Sequence, residues 1–460
     1  MPRLIEHGRY GKGEVVESRH KGFELRVKFV DDILRWVRRD ELRSLTETPI
    51  LSKPEAPKPK LPKEQFKAKQ ITPVLPEVSE PLVSKEKFKA RQMIEAFRLG
   101  IVPYEHMEKF IFGRNKEMEQ IENLLNNSNE KSLIITGEYG CGKTHLLEYV
   151  HAQALKNNWA VSLVELDPNE LPFHKPKRIY EAIIRSFRFK KGEHQCDFRE
   201  FLRTIARSND SYELEGHEYL GRAIRGIRSG EDDEYFWEWI EGHPSGYSYP
   251  PMYEYSTSSN IYCYILSGIG WAARSIMGLN GFLILFDEAE SIDPYWYSSS
   301  QNEKLWNFLK GLILMVNNDE RLINEIRGRD SRSFRVSFGF ETGLHYCGRG
   351  KLLPFLWKRP CYINILFAFV PHEILYEKKP INTVRQLEIE NIGEDALKKI
   401  FETISYSYKL AYDSYDLNGD VFDKIPKDNT YNTRKFIKTC VEALDLIRFH
   451  PNNEREELLR

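Results

Sequence analysis

The sequence predicts an α/β protein: a P-loop NTPase of the AAA+-like, additional-strand class, with a parallel-sheet core and a helical lid. A small SH3/Tudor-like β-barrel precedes it. Three observations carry this. "GEYGCGKT" sits between an apolar strand and a helix. "GFLILFDE" is a second apolar strand ending in two acids. The first 46 residues read as short strands of their own.

The N-terminal unit comes first. Runs "GEVVES", "ELRVKFV" and "LRWV" are rich in strand formers and separated by Gly- and Asp-containing turns. So short an all-β unit is expected to close as a barrel over 1–46. From Thr46 to Ser84 prolines recur among lysines and glutamates, which favours an extended tether, so 47–88 reads as a linker. Order resumes in "FKARQMIEAFRLG", where Met93, Ile94 and Phe97 recur at helical spacing and Gly100 suits the stop. A second amphipathic helix, "FIFGRNKEMEQIENLLNN", leads into the strand "SLIIT".

After the glycine-rich loop the chain reads helix, then strand "AVSLVEL". Such alternation implies a parallel sheet covered on both faces. The core is expected over 89–378, with a helical and aromatic insertion at about 179–277. The strands "GFLILF" and "YINILFAFV" belong to that core. Residues 379–460 read as the helical lid, with amphipathic helices marked by Leu397, Ile400 and Phe401 and by Phe436, Ile437 and Cys440.

The bulk numbers narrow the classes. The 460 residues are 41% hydrophobic and 29% charged, with net charge -1, so whole-molecule charge does not announce a nucleic-acid binder. No apolar run is long enough to span a membrane and no secretory signal opens the chain. The six cysteines form no CxxC pair, which excludes a zinc module or disulfide scaffold and suits the cytoplasm.

The chemistry concentrates at two places. Gly137, Gly140 and Gly142 let the backbone wrap phosphates, so the amides of Gly137, Glu138, Tyr139, Gly140, Cys141, Gly142, Lys143, Thr144 and His145 form the expected ATP cradle. Lys143 reaches the β- and γ-phosphates, and the Thr144 hydroxyl ligates Mg2+. Only the amide of Cys141 is needed; beside a helix N-terminus and a lysine its thiol is expected to be acidified. At the end of the second strand, Asp287 is the expected Mg2+ partner. Glu288 is the candidate general base, with Glu290 a weaker substitute. Arg434, in the first turn of a lid helix, is a candidate for contacting the γ-phosphate. Val370 stands where a polar sensor residue usually follows its strand, and His372 lies two residues on. Arg349 and Arg359 are possible trans-acting fingers or structural arginines.

Two further segments leave alternatives open. Arg222, Arg225 and Arg228 form one helical stripe that reads as either a solvated face or a phosphate contact. The stretch "EYFWEWIEGHPSGYSYPPMYEY" could stack bases or build core, and the acids from Glu231 to Glu234 argue against a nucleic-acid track.

"RQMIEAFRLGIVP", "GEYGCGKTHLLE", "GFLILFDEAESI" and "TRKFIKTCVEALDLIRFHP" resemble stretches of the BrxD family of BREX phage-defence ATP-binding proteins and related AAA+-like ATPases. The N-terminal "HGRYGKGEVVE" and "LRVKFVDDILRWV" are similar to the Tudor-like barrel that ends UvrD/PcrA-type helicases. The resemblance implies a cytoplasmic ATPase using ATP and Mg2+ in DNA-directed defence. DNA, a helicase or other defence-system proteins are its implied partners, and a homo-oligomer completes the site. Two rivals are an ATP-gated non-motor switch and a replication initiator of the origin-recognition type. The initiator ranks lower because few residues follow Leu444 to build a winged helix.

Overall fold

The computed structural model describes the strand residues within 3–44 by their backbone. From residue 85 to 450 it describes all but the short stretches 103–109, 127–129, 244–248, 255–257, 330–335, 348–351, 378, 414–419 and 426–431. The chain divides into two compact units, 1–78 and 79–460. In the first, strands Arg3–His7, Gly11–Arg19, Glu24–Phe29, Leu34–Arg38 and Leu42–Ser44 form one antiparallel sheet. Its central partner strand carries a register shift between Val15 and Glu17. The three expected runs are all strands, and two more flank them. Of the linker expected over 47–88, residues 47–84 lie outside the described residues and the last four are helical.

The second unit is built on five parallel strands: β1 (Ser132–Thr136), β2 (Ala160–Glu165), β3 (Phe282–Asp287), β4 (Ile363–Phe369) and β5 (Arg385–Glu388). Their spatial order is β5-β1-β4-β3-β2, with every neighbouring pair parallel. β4 therefore stands between the P-loop strand β1 and the acidic strand β3, which is the additional-strand arrangement the sequence predicts. β1, β3 and β4 are buried along their whole length, as continuous apolar runs require in a sheet covered twice.

Alternate residues of each strand serve opposite faces. Leu133, Ile135, Leu283, Leu285 and Leu366 pack on one side with helices α2 (Asn115–Asn126) and α3 (Lys143–Lys156). Ile134, Ile284, Phe286, Ile365 and Phe367 pack on the other with the long insertion. The insertion contributes α4 (Pro176–Ser186), α5 (Phe198–Arg207), α6 (Leu220–Arg228), α7 (Glu234–Ile240) and α8 (Ser259–Ser275), and α9 (Ser299–Val316) follows β3. Its aromatic stretch is core: Trp237 and Trp239 are fully buried, and Trp239 stacks on Tyr249 at 4.6 Å.

The lid consists of α10 (Glu394–Tyr412) and α11 (Thr433–Phe449) with a short helix between them. Two boundaries differ from the sequence expectation. β5 reaches Glu388 inside the core sheet, so the core extends past residue 378. The strand is four residues long, and only Leu387 among them is buried, so it has no readable period. Helix α1 (Lys85–Arg98) starts four residues before the expected core. It buries Ala90, Met93, Ile94 and Phe97 against Ile400, Ile404, Phe436 and Cys440, so it belongs with the lid.

Candidate nucleotide site

The C-terminal ends of β1 and β3, the start of α3 and the lid enclose a cavity of about 360 Å3. The loop after β1 turns back on itself because Gly140 and Gly142 take left-handed backbone angles, φ 81° and 101°, which a side chain would strain. α3 starts at Lys143, which aims the helix's unbonded amides into the cavity. The Lys143 ammonium is buried and donates to the carbonyls of Gly137 (2.7 Å) and Glu138 (3.1 Å), so it spans the loop.

Arg114, from the "FIFGR" segment, braces the loop from behind. Its guanidinium is buried, donates to the Cys141 carbonyl at 2.7 Å and to the Glu390 carbonyl at 2.8 Å, and pairs with Glu117 at 2.8 Å. One residue thus ties the P-loop to the exit of β5. The sequence reading did not single it out; its position one residue after Gly113 in that segment is the available signal.

The opposite wall is acidic. The Thr144 hydroxyl donates to Asp287, and the Glu288 amide also bonds the Asp287 carboxylate at 3.0 Å. Burial is the largest influence on Asp287 and raises its pKa against those two bonds. Glu288 holds a left-handed conformation (φ 52°, ψ 39°), which costs about 1 kcal/mol for a residue with a side chain. Its carboxyl is hydrogen-bonded to Glu290; with burial, that raises its pKa to about 7. One Glu290 oxygen is buried with no hydrogen-bond partner. Glu148, one turn along α3 from Thr144, also faces this wall, and burial and the Asp287 charge push it up to about 7. The i,i+4 spacing of Thr144 and Glu148 was its sequence signal.

Thr144 and Asp287 fit a magnesium that arrives with phosphates. Among the described residues no three or more His, Cys, Asp or Glu side chains are grouped to hold a metal by themselves. A hard ion that keeps several waters and takes phosphate oxygens needs few protein ligands, and these two are hydroxyl and carboxylate.

The lid supplies the third wall. Asn432 caps α11 by accepting from the Lys435 amide, and Arg434 donates to the Tyr139 hydroxyl at 3.1 Å. A Cβ placed on Gly140 would lie 2.5 Å from Asn432, and one on Gly100 would lie 2.6 Å from the Arg434 side chain. Arg434 also acts electrostatically on Glu288. Beyond it, Val102, Phe110, Ile392 and Ile437 form an apolar compartment containing His145. Burial lowers the His145 pKa to about 4.

Gly137 to His145, Asp287, Glu288, Glu290 and Arg434 therefore stand in or beside one cleft. Other expectations change. Cys141 is buried, and desolvation raises its thiol pKa despite Lys143 and Arg114, so it is not the acidified, alkylation-prone thiol expected. His372 pairs with Asp293 at 3.0 Å, away from the cleft lining. Arg359 pairs with Glu320. Arg222 pairs with Glu231 at 2.8 Å, Arg228 caps the Ala206 carbonyl at 2.9 Å, and Arg225 leans on Glu215, so the stripe is largely used locally. Arg349 lies outside the described residues.

This fold and cleft define a P-loop nucleotide-binding protein. Residues 85–206 match the family model described as BREX system ATP-binding protein BrxC/D. That span includes α1, the P-loop and β2, about a quarter of the chain. Among solved structures, the chain is similar to AMPPCP-bound DnaA from Aquifex aeolicus, with 12% identity, TM-score 0.30, and 77% of this chain and 79% of that one covered. No curated protein sequence matches it.

Proposed function

We propose that this chain is a cytoplasmic, Mg2+-dependent ATPase that hydrolyses ATP slowly and couples nucleotide state to DNA or a partner protein in a DNA-directed system such as phage defence. The observation that carries the hydrolytic part is the Thr144–Asp287–Glu288 junction, where a metal-fitting hydroxyl and carboxylate adjoin a base of raised pKa. The match of residues 85–206 to an ATP-binding protein family supports the nucleotide and the defence setting.

The parts divide the work. Loop amides and Lys143 bind the phosphates, and Lys143 must exchange two loop carbonyls for them. Bound Mg2+ supplies charge neutralisation between the phosphate oxygens. Glu288 accepts the proton of the attacking water once it has lost its own to solvent. Arg434 leaves Tyr139 for the γ-phosphate. Among the described residues the β4 end offers Val370 rather than a polar sensor, which fits weak basal turnover.

ATP turnover measured with and without single- and double-stranded DNA across a salt series tests this. Stimulation by DNA that fades with salt is expected; ATP binding without turnover under every condition would favour the non-motor switch. That switch reading has one observation of its own: Glu288 shares its hydrogen bond with Glu290 and is half-protonated near pH 7. The N-terminal sheet is proposed as a Tudor-like docking unit. Deleting residues 1–46 should leave the Kd for ATP unchanged and weaken recruitment to a helicase or other defence protein in a pull-down. Homo-oligomers are proposed, with a neighbour supplying the arginine finger.

A further inference from the structure

The segment leaving β3 continues beyond its carboxylates into a surface that the nucleotide chemistry does not use. After Glu288 and the turn Ala289–Ile292, a second short turn, Pro294–Trp296, presents Tyr295 and Trp296 at 87% and 59% exposure. Their rings lie 6.0 Å apart and nearly perpendicular, at 83°. The turn is held firmly. Asp293 accepts from the Tyr295 amide at 2.9 Å, and the Tyr297 hydroxyl donates to the Ser291 carbonyl at 2.8 Å. Asn302, at the start of α9, donates to the Pro294 and Tyr297 carbonyls at 3.1 and 3.2 Å. The two rings are thus displayed on a fixed support.

A basic rim adjoins them. The Tyr297 ring meets His174 edge-on at 5.0 Å. Burial lowers the His174 pKa, and the charges of Lys175, Lys304 and Arg178 lower it further. Lys175 precedes α4, Arg178 is in its first turn, and Lys304 is on α9. Among the described residues none of the three makes an ion pair. The same segments also carry acids: Asp293 is held by His372 at 3.0 Å, Asp167 accepts the Asn169 and Glu170 amides at 2.7 Å each, and Glu170, Glu181 and Glu303 lie beside the cations in sequence.

We propose that Tyr295 and Trp296, flanked by Lys175, Arg178 and Lys304, form a contact site for single-stranded nucleic acid. The inference rests on the nucleic-acid part of the proposed function and deepens it. Exposed ring faces stack unpaired bases irrespective of sequence, and nearby cations follow the phosphates. A duplex keeps its base faces stacked on one another, so it offers these rings little. Only the turn Ala289–Ile292 and Asp293 separate Glu288 from Pro294, which gives nucleotide state a short route to the surface.

Fluorescence anisotropy of the full-length protein tests this. The probes are fluorescein-labelled thymidine and uridine strands of about 20 nucleotides and a duplex of equal length, each with a non-hydrolysable ATP analogue. Wild type should prefer single strands, and the two strands report which polymer it favours. The Tyr295→Ala/Trp296→Ala variant should lose single-strand affinity by about tenfold or more. Lys175→Ala/Arg178→Ala/Lys304→Ala should lower the slope of log affinity against log salt by about 2. Both variants should keep nucleotide binding, which verifies that they fold. Binding by wild type with equal affinity in both variants overturns this surface while leaving the nucleic-acid reading intact. Failure of wild type to bind any strand or duplex overturns both. An aromatic variant that keeps its affinity but shifts in sedimentation overturns the proposal in favour of self-association.

Discussion

On the P-loop side of the cleft, Lys143 donates to two carbonyls, and Arg114 donates to two more while pairing with Glu117. On the β3 side, Glu288 is backbone-strained, Glu290 has a buried oxygen with no partner, and Glu148 is raised to about 7. On the first wall the protein itself holds the charged side chains Lys143 and Arg114. The second carries one buried carboxylate, Asp287, with the half-buried Glu148, Glu288 and Glu290 close to it, an arrangement that a cation would relieve. The difference teaches where each type of residue gains its energy: the loop is organised before ligand arrives, and the acidic wall is stabilised by the ligand it receives.

That contrast can be broken from either side. Lys143→Ala should weaken ATP binding by about 100-fold, since charge-assisted phosphate bonds are each worth about 1.5–3 kcal/mol; titration with a fluorescent ATP analogue measures it. Glu288→Gln should lower kcat by about 10²–10⁴-fold with ATP affinity near wild type, as expected of a base on the ligand-dependent wall; unchanged hydrolysis would move the base to Glu290. Glu290→Gln is milder. Wild-type activity should rise with pH through about 7 as Glu288 deprotonates. Removing its carboxylate neighbour lowers that pKa, so the rising limb of the pH–rate profile should move to lower pH. Glu148→Gln should give the smallest change, seen in Tm without nucleotide. A carboxylate whose folded pKa is raised from 4.5 to about 7 holds its proton more tightly folded than unfolded. Wild-type stability therefore falls as pH rises through that window, and the glutamine variant should be the more stable by a few degrees above pH 7.

The main residues of both walls were legible. The glycine spacing of residues 137–142 and the unbroken apolar run from Phe282 to Phe286 have only one use in an α/β sheet, so β1, β3, Lys143, Thr144, Asp287 and Glu288 could be placed from sequence. Glu148 stood in the same quoted stretch and was passed over. Its i,i+4 spacing from Thr144 marks the face of α3 it lies on, but its raised pKa comes from burial and from Asp287, more than a hundred residues away. Cys141 misled for the same reason: lysine and helix start argue for a low pKa, but tertiary burial overrides both. β5 escaped because four residues, only one of them buried, carry no period, and its assignment to the sheet is decided by pairing with β1. The aromatic insertion was ambiguous because stacking platforms and cores use the same residues; only exposure separates Trp239 from Trp296.

The meeting of Gly100 and Gly140 with Arg434 and Asn432 has a consequence for how the lid moves. The closeness of the fit between P-loop and lid comes from the missing side chain of Gly140, where a single methyl group would collide with Asn432 at the start of α11. Closure is therefore governed by clearance, as in a door hung with almost no gap at its frame. Alanine at Gly140 would act as a doorstop, leaving the entrance ajar, and should be read first as faster ATP exchange in stopped-flow rather than as a lower equilibrium affinity.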